Sequence, residues 1–471
     1  LDGSPVEAAV AQRGTISAPG GHVLVQAKAL EGLFDQLVAM PEGVVEATSV
    51  VERNGRIELV AAGGAIQHGG ILRVDGTPEA PDAGKISVEA PRIVQEGLVS
   101  ANAAELGQAG EIRVTSVDET ILAPGSRIEA KATGDVGIGG SIWIRSTRPK
   151  EIGSLVFKPD SIIDVSGGVK AGDAGFLELS ADQVQIDGQL VAAAQEGYSG
   201  GRILIDPTFL VLAINAFYGA PADQPAGTPD IPFNQPGGVS LVDFDKIRGF
   251  AEAYFQAVLD IFVVGPAATM DAGNDLRLEA GRNVRLFTDI AVQGNSGDLT
   301  LIADADFSGA GGAASDGVGV VEQRLNVDIQ ADDGAITIQS AQGFTARAIT
   351  GGANGTISIT STNGSISDDG NAATRITGGA LTLQSSAGLG TNVTPISTDV
   401  GSLTTSSSAD QFLNEANGLS GLNLNAGGGG TDIVLVAGGT VTDADFSDDV
   451  VADDFTVTAA GGLGSVLNVL N

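Results

Sequence analysis

The stretch AGKISVEA at residues 83–90 begins with two small residues and continues as a short run in which apolar and polar side chains alternate. A period of two places Ile86 and Val88 on the same face of a β-strand. Lys85 and Glu89 then fall on the opposite face. We therefore predict a strand with one buried face and one face in water.

The same unit returns six times within the first 205 residues. Its copies, each a small-residue turn followed by an alternating run, lie at 20–27, 54–59, 109–115, 139–146, 174–181 and 200–205. The second small residue is glycine in every copy, and successive glycines are 26 to 35 residues apart. Self-similarity at this period is the signature of a repeat architecture.

A second alternating segment lies between neighbouring units, at 44–47, 71–74, 98–101, 128–130, 162–165 and 190–193. Each period therefore carries two or more short strands separated by turns. An antiparallel sandwich would need tight two-residue turns such as Asn-Gly, and these are sparse. We predict an all-β fold, a parallel β-helix, in which each coil stacks like residues on like residues about 4.8 Å away.

The composition suits closely stacked strands and excludes several partners. Hydrophobic residues make up 42% of the 471 residues and aromatic residues only 4%, whereas glycine occurs 68 times. The absence of cysteine excludes disulfide bonds. The formal net charge of −34 excludes nucleic acid as a partner and argues against an anionic membrane surface, because both attract basic proteins. No apolar run is long enough to span a bilayer.

The spacing of the units predicts three segments. Residues 1–207 form a β-helix with wider coils, residues 208–272 a loop plus helical insertion, and residues 273–471 a slimmer Gly/Thr/Asp-rich continuation of the β-helix. No signal peptide is visible at the start, and the last residues resemble an unfinished strand. We expect the chain to be part of a longer protein.

The first predicted helix lies near residues 28–38. Leu30, Phe34 and Leu37 have helical spacing there, and Pro41 follows. We expect this helix to pack on the side or edge of the coil stack.

The second predicted helix covers residues 244–262. Asp243 precedes it as a favourable N-cap. Its apolar stripe comprises Phe244, Ile247, Phe250 or Ala251, Tyr254 and Val258. We expect this helix to cap the coils or to cover one of their faces.

Four stretches resemble filamentous-haemagglutinin-like exoproteins of two-partner secretion systems. They are GVVEATSVVERNGRIEL at 43–59, GRILIDP at 201–207, LRLEAGRNV at 276–284 and GDLTLIADAD at 297–306. The resemblance covers about residues 15–305. The family's N-terminal secretion domain, with its Asn-Pro-Asn-type motifs, is not evident in this sequence.

The resemblance implies a right-handed parallel β-helix that is secreted or displayed on the cell surface of a Gram-negative bacterium. It implies an outer-membrane secretion transporter as a partner of the full-length chain. It also implies an adhesive fibre that meets host or neighbouring-cell surfaces or glycans, and end-to-end self-association is a further expectation.

Candidate chemistry is sparse in this sequence. The two histidines, His22 and His68, lack a partner motif, and we interpret both as surface side chains. Trp143 alternates outward between Ile142 and Ile144, where it could stack on a sugar or lie under a covering segment. Charged residues are scattered over the coils and are explained by cross-strand pairing, so we predict no enzyme.

The acidic residues are weak candidates for a Ca²⁺ site. They are Asp304, Asp306, Asp432, Asp443, Asp445, Asp448 and Asp449. Residues 427–435 fit the nonapeptide Ca²⁺-binding pattern once, but the following residues do not repeat it. We therefore favour solvated acidic loops and expect no cofactor.

The sequence as a whole favours a structural and adhesive segment of a large secreted or cell-surface β-helical fibre, acting as a rigid display rod. Two alternatives stay open. One is a carbohydrate-active β-helix, and the other is a Ca²⁺-stabilised surface-layer or matrix protein.

Overall fold

The computed structural model describes residues 8–28, 36–51, 54–146, 153–213, 239–294, 296–307, 314–427, 429–442, 449–464 and 469–470. These residues form parallel strands and turns. No α-helix occurs among them, and one 3₁₀ turn lies at Phe244–Lys246. The predicted all-β, parallel β-helix fold is confirmed.

The chain divides into two compact units. The first comprises Leu1–Leu210 with Ile231–Phe255, and the second comprises Val211–Asp230 with Gln256–Asn471. The strands up to residue 257 are β1 (Ala8–Ala11), β2 (Thr15–Ser17), β3 (His22–Lys28), β4 (Gln36–Met40), β5 (Val44–Glu46), β6 (Arg56–Ala62), β7 (Ala65–His68), β8 (Ile71–Arg73), β9 (Lys85–Gln95), β10 (Leu98–Ser100), β11 (Glu111–Leu122), β12 (Arg127–Glu129), β13 (Ser141–Ser146), β14 (Ser154–Phe157), β15 (Ile162–Asp164), β16 (Phe176–Ala181), β17 (Gln183–Ile186), β18 (Gln189–Val191), β19 (Arg202–Asp206), β20 (Leu210–Ala213), β21 (Ser240–Asp243) and β22 (Glu252–Ala257).

The strands that follow are β23 (Ile261–Val264), β24 (Ala268–Met270), β25 (Asp275–Ala280), β26 (Val284–Leu286), β27 (Ile290–Val292), β28 (Leu299–Ala303), β29 (Val321–Gln323), β30 (Ile329–Ala331), β31 (Ala335–Ser340), β32 (Phe344–Ala346), β33 (Ile349–Gly351), β34 (Thr356–Ser361), β35 (Ile366–Asp368), β36 (Ile376–Ser385), β37 (Ile396–Ser406), β38 (Gln411–Glu415), β39 (Gly421–Asn425), β40 (Asp432–Ala437), β41 (Val450–Val451), β42 (Asp454–Ala459) and β43 (Val469–Leu470).

The coils of the first unit contribute strands to three parallel stacks. One contains β3, β6, β9, β11, β13, β16 and β19, a second contains β1, β4, β7, β14 and β17, and the third contains β2, β5, β8, β10, β12, β15 and β18. The long strands β9 and β11 also pair within the second stack. The register superposes equivalent apolar residues, among them Ile57, Ile86, Ile112, Ile142, Leu177 and Ile203. Each of these side chains is at most 1% exposed, which confirms the inward assignment.

The second unit also stacks equivalent apolar residues in register. Strands β25, β28, β31, β34, β36, β37 and β39 stack in register. Leu276, Leu299, Ile336, Ile357, Leu381, Leu403 and Leu422 follow one another inside the stack and are all buried. The outward neighbours in the same strands are mostly Thr and Ser, which fit a pleated surface and add no charge.

The repeating glycines of the first unit form a column of their own. The amides of Lys85, Glu111 and Ser141 donate to the carbonyls of Gly55, Gly84 and Gly110, the glycines one coil earlier. A Cβ atom at Gly84, Gly110, Gly140 or Gly175 would lie 1.8 to 2.2 Å from the carbonyl oxygen of the preceding glycine. Close backbone approach therefore explains why each unit places glycine there.

The helix predicted over residues 244–262 is wrong. Phe244, Ile247 and Phe250 are buried as the stripe requires, but they belong to the 3₁₀ turn and the bend after it. From Glu252 onward the burial period is two, so Tyr254 is half-buried and Val258 exposed. Asp243 does act as a cap, because its carboxylate accepts the amide of Asp245 at 3.1 Å.

The helix predicted near residues 28–38 lies mostly outside the described residues. Its ends are strands, since Lys28 closes β3 and Leu37 and Val38 are buried in β4. The helical interpretation is therefore wrong for the described part of this segment.

The glycine column predicts that Gly110→Ala destabilises the protein by about 2–4 kcal/mol. The added Cβ would meet the carbonyl oxygen of Gly84 at 1.9 Å. Gly14→Ala is the control, because no heavy atom lies within 4 Å of a Cβ built there. Thermal unfolding followed by circular dichroism compares the variants, and equal melting temperatures would contradict the stacking of glycine on glycine.

Candidate functional site

A cleft of about 730 Å³ opens on the second unit between β29 and β32. Residues 320–325 form one wall, and residues 342–345 with Arg347 form the other. Ser365, Ser367 and Phe287 complete the lining. The cleft is thus shaped by four successive coils rather than by a single loop.

The cleft exists because the parallel ladder divides at this point. β29 pairs with β26, and β32 pairs with β35, but no ladder joins β29 to β32 in the described part of the chain. Side chains bind the backbone there instead. The amide of Val321 donates to Ser340 Oγ at 3.2 Å, and Arg347 Nε donates to the carbonyl of Gln323 at 2.9 Å. The strands are held near each other while the space between them stays open.

Gln323 stands at the floor of the cleft and is 4% exposed. Its Nε2 atom donates to the carbonyls of Val327 at 2.7 Å and Ala348 at 2.9 Å. Among the described residues, nothing donates a hydrogen bond to its Oε1 atom. The side chain is therefore anchored by its amide nitrogen beneath the cleft, and its Oε1 atom is shielded from solvent.

A stack of rings and guanidinium groups borders the cleft. The rings of Phe262 and Phe287 are parallel within 2°, with centroids 5.9 Å apart. The guanidinium of Arg285 lies 5.5 Å from the Phe262 centroid, and that of Arg324 lies 5.1 Å from the Phe287 centroid. Cations over aromatic faces are attracted by the ring quadrupole. Glu322 is 3.0 Å from Arg324 Nε and 3.5 Å from Arg285 Nε, which fixes both cations.

Arg347 is anchored more deeply. Its Nη1 atom lies 3.0 Å from Asp369, whose side chain is 4% exposed. The three arginines near the cleft, Arg285, Arg324 and Arg347, therefore face two carboxylates, in a chain whose formal net charge is −34.

The sequence analysis did not single out Arg324, Arg347 or Gln323. The signal available was the scarcity of basic residues in this half of the chain, where the last lysine is Lys246.

Turn carboxylates tie several coils to the next. Asp275 Oδ1 accepts the amide of Asp298 at 2.8 Å, and Asp298 Oδ1 accepts the amide of Ala335 at 2.8 Å. The same bond joins Asp75 to Asn102, Asp82 to Gln108, Asp173 to Ser199, Asp289 to Asp328, Asp333 to Asn354 and Asp410 to Asp432, at 2.8 to 3.0 Å. These eight carboxylates therefore have a structural role, beyond the solvation that the sequence indicated.

The Ca²⁺ candidates that the structure describes form no metal-binding group. Asp304, with φ of 59°, turns both carboxylate oxygens to Ser315 Oγ and to the amides of Asp316 and Gly317, at 2.6 to 3.0 Å. Asp306 and Asp432 are exposed, and Asp449 is fully buried. Asp443, Asp445 and Asp448 lie outside the described residues. Within the described ranges, no group of three or more His, Asp or Glu side chains is placed to hold a metal ion.

The two histidines occupy opposite environments. His22 is exposed and lies 3.3 Å from Glu58. His68 is 0% exposed, so its interpretation as a surface residue is wrong. Its Nδ1 atom lies 2.7 Å from Gln95 Oε1 on the next coil. Burial lowers the pKa of His68 to about 4, against the weaker opposing effect of the Gln95 hydrogen bond.

Trp143 is half-buried on the outward face, and two neighbouring side chains contact its ring. The guanidinium of Arg113 lies 4.4 Å from the ring centroid. Phe176 meets the ring edge-on, with centroids 6.2 Å apart. Trp143 therefore joins neighbouring coils, and this environment favours packing over sugar stacking.

A carboxylate cluster lies on β16 and β19. Arg145 donates two hydrogen bonds to Glu178, at 2.6 and 2.9 Å, and Ser180 Oγ donates a third at 2.9 Å. Asp206 pairs in register with Ser180. Burial, followed by the negative charges of Glu178 and Asp182, raises the pKa of Asp206 to about 6.

Comparison with known proteins gives no match, either to a protein family or to a curated protein sequence. Within the described ranges, no helix is long and apolar enough to cross a membrane.

Buried His68 predicts acid-sensitive stability. Its folded pKa of about 4 lies below the ordinary value of 6.5, so the unfolded chain takes up a proton first as the pH falls. The free energy of unfolding should fall by about 2–3 kcal/mol from this group between pH 7 and pH 4. His68→Gln, which keeps an amide partner for Gln95, should flatten this part of the profile.

The control is His22→Gln, which changes the exposed histidine and should keep the wild-type slope. Asp206 contributes with the opposite sign, since its raised pKa favours folding at low pH, and this contribution is common to all three proteins. Urea unfolding between pH 4 and pH 8 supplies the profiles. Parallel profiles for wild type and His68→Gln would contradict a buried neutral histidine.

Proposed function

We propose that this chain is a structural and adhesive segment of a large secreted or cell-surface β-helical fibre of a Gram-negative bacterium. Its role is to serve as a rigid scaffold that displays a binding surface. In this proposal the full-length protein resembles filamentous-haemagglutinin-like exoproteins, leaves the cell through an outer-membrane partner transporter, and requires no cofactor.

The observation that carries the proposal is the way coil is bound to coil in both units. Equivalent apolar residues stack inside, and turn carboxylates such as Asp82 and Asp298 accept amides of the following coil. Each coil contacts its neighbours throughout, so stability accumulates along the stack, as in other solenoid proteins. Such a structure suits reach and rigidity.

The outward surface supports the display part of the proposal. In the second unit Thr300, Thr337, Ser358, Thr382 and Thr404 follow one another in register. These side chains present a regular row of hydroxyl groups that can form hydrogen bonds with a binding partner. A host cell, a neighbouring cell or their glycans are the partners that we propose.

A carbohydrate-active β-helix is the second candidate, and the environment of Asp206 favours it. A carboxyl group that titrates near pH 6 suits general acid catalysis. Its neighbour Glu178, however, is held by Arg145 and Ser180, as expected for an ion pair that binds coil to coil. We therefore favour the structural function.

The proposal predicts that antibodies raised against this chain label intact cells of the producing bacterium. Disruption of the partner transporter should confine the labelling to permeabilised cells. Beads coated with the folded chain should adhere to target cells, and beads coated with the heat-unfolded chain provide the control. Labelling that always requires permeabilisation would contradict surface display, and release of reducing sugar ends from polysaccharides by the purified chain would favour the second candidate.

A further inference from the structure

We propose that the cleft between β29 and β32 binds a short acidic oligosaccharide, in which carboxylates meet Arg324 and Arg347 and sugar hydroxyls meet Thr345 and Ser367. The inference rests on the proposed display function, since it names the ligand class that the displayed surface would hold. It is carried by the chemistry of the cleft itself.

The cations select a ligand with negative charge. Arg324 is fixed by the Phe287 ring and by Glu322, and Arg347 is fixed by Asp369 and the Gln323 carbonyl. Preorganised guanidinium groups suit carboxylates because their donors form a rigid planar fork. Both side chains line the cleft, so a carboxylate inside it would lie within their reach.

The remaining polar groups select hydroxyls. The hydroxyls of Thr345 and Ser367 lie 3.1 Å apart and can both donate and accept. A ligand that carries carboxylates and hydroxyls together is a sugar acid.

The rings near the cleft argue against a neutral sugar held by stacking. Phe262 covers Phe287 from the preceding coil, and Arg324 covers it from the following coil. Since neither face of Phe287 is free to receive a pyranose ring, recognition falls to charge and hydrogen bonds. This favours an acidic sugar over a neutral one.

The strand edges argue against an added peptide strand. Backbone groups that would form a new ladder are already engaged, the Val321 amide with Ser340 and the Gln323 carbonyl with Arg347. A ligand must therefore be read by side chains. The volume of about 730 Å³ lies within the range of roughly 300–1,000 Å³ typical of small-ligand sites.

Isothermal titration calorimetry of the whole chain with trigalacturonic acid tests the inference. About 0.15 M salt should be present to screen the repulsion between this acidic chain and an acidic ligand. We expect binding of trigalacturonic acid, and at least roughly tenfold weaker binding for Arg324→Gln. Arg113→Gln is the matched control, because Arg113 also covers an aromatic ring and pairs with a glutamate but belongs to the first unit and does not line the cleft. Its affinity should stay within about twofold of wild type.

A second cleft variant, Thr345→Glu, keeps the inference testable if Arg324→Gln fails to fold. Thr345 is exposed and forms no ion pair, and the added carboxylate should also weaken binding at least roughly tenfold. A galactose trisaccharide without carboxylates should not bind. Absence of wild-type binding, unchanged affinity in both cleft variants, or tighter binding of hexaglutamate would overturn the inference. Those results leave surface labelling untouched, whereas failed labelling would overturn the display function alone.

Discussion

Stacking of coils about 4.8 Å apart decides which residues each position of a coil can hold. Wherever neighbouring strands pair in register, each residue lies directly over its equivalent, so a side chain that fits one coil must also fit the next. Apolar residues such as Ile112 and Ile142 pile into a continuous core. At the corner the backbones of Gly84 and Gly110 approach so closely that even a methyl group would meet the neighbouring carbonyl. The recurring glycine and the recurring isoleucine have the same cause.

The same constraint gives the acidic residues their place. A carboxylate in a turn, such as Asp298, can accept a hydrogen bond from an amide of the following coil, and this bond satisfies a backbone group that has no partner in the turn itself. The formal net charge of −34 is thus partly the consequence of a structural device that the turns repeat. Cations are scarce, so the places where guanidinium groups gather, as around Arg324 and Arg347, stand apart chemically.

Period-two alternation was sufficient to predict the fold class and the inward face, including Ile86 and Ile142. The same alternation also indicates that His68 is buried, because His68 lies two residues after the buried Ile66 and shares its face. The helix over 244–262 was misjudged because a 3₁₀ turn and a following strand happened to place apolar residues three and four apart. The cleft could not be predicted, because it forms where β29 and β32 do not pair. The alternation of apolar and polar residues within one segment does not show which strands of neighbouring coils pair.

Register between coils determines which residues meet in this fold, and disulfide trapping measures it in a chain that has no cysteine of its own. Ser358 and Thr382 are Cα partners on adjacent strands with half-exposed side chains. Cysteines at these positions should cross-link under mild oxidation, because a disulfide needs Cα atoms about 4.4–6.8 Å apart. Cysteines at Ser358 and Gln384, offset by two residues and so about 8 Å apart, should not. Efficient cross-linking of the offset pair, with none for the in-register pair, would contradict the stacked-coil account.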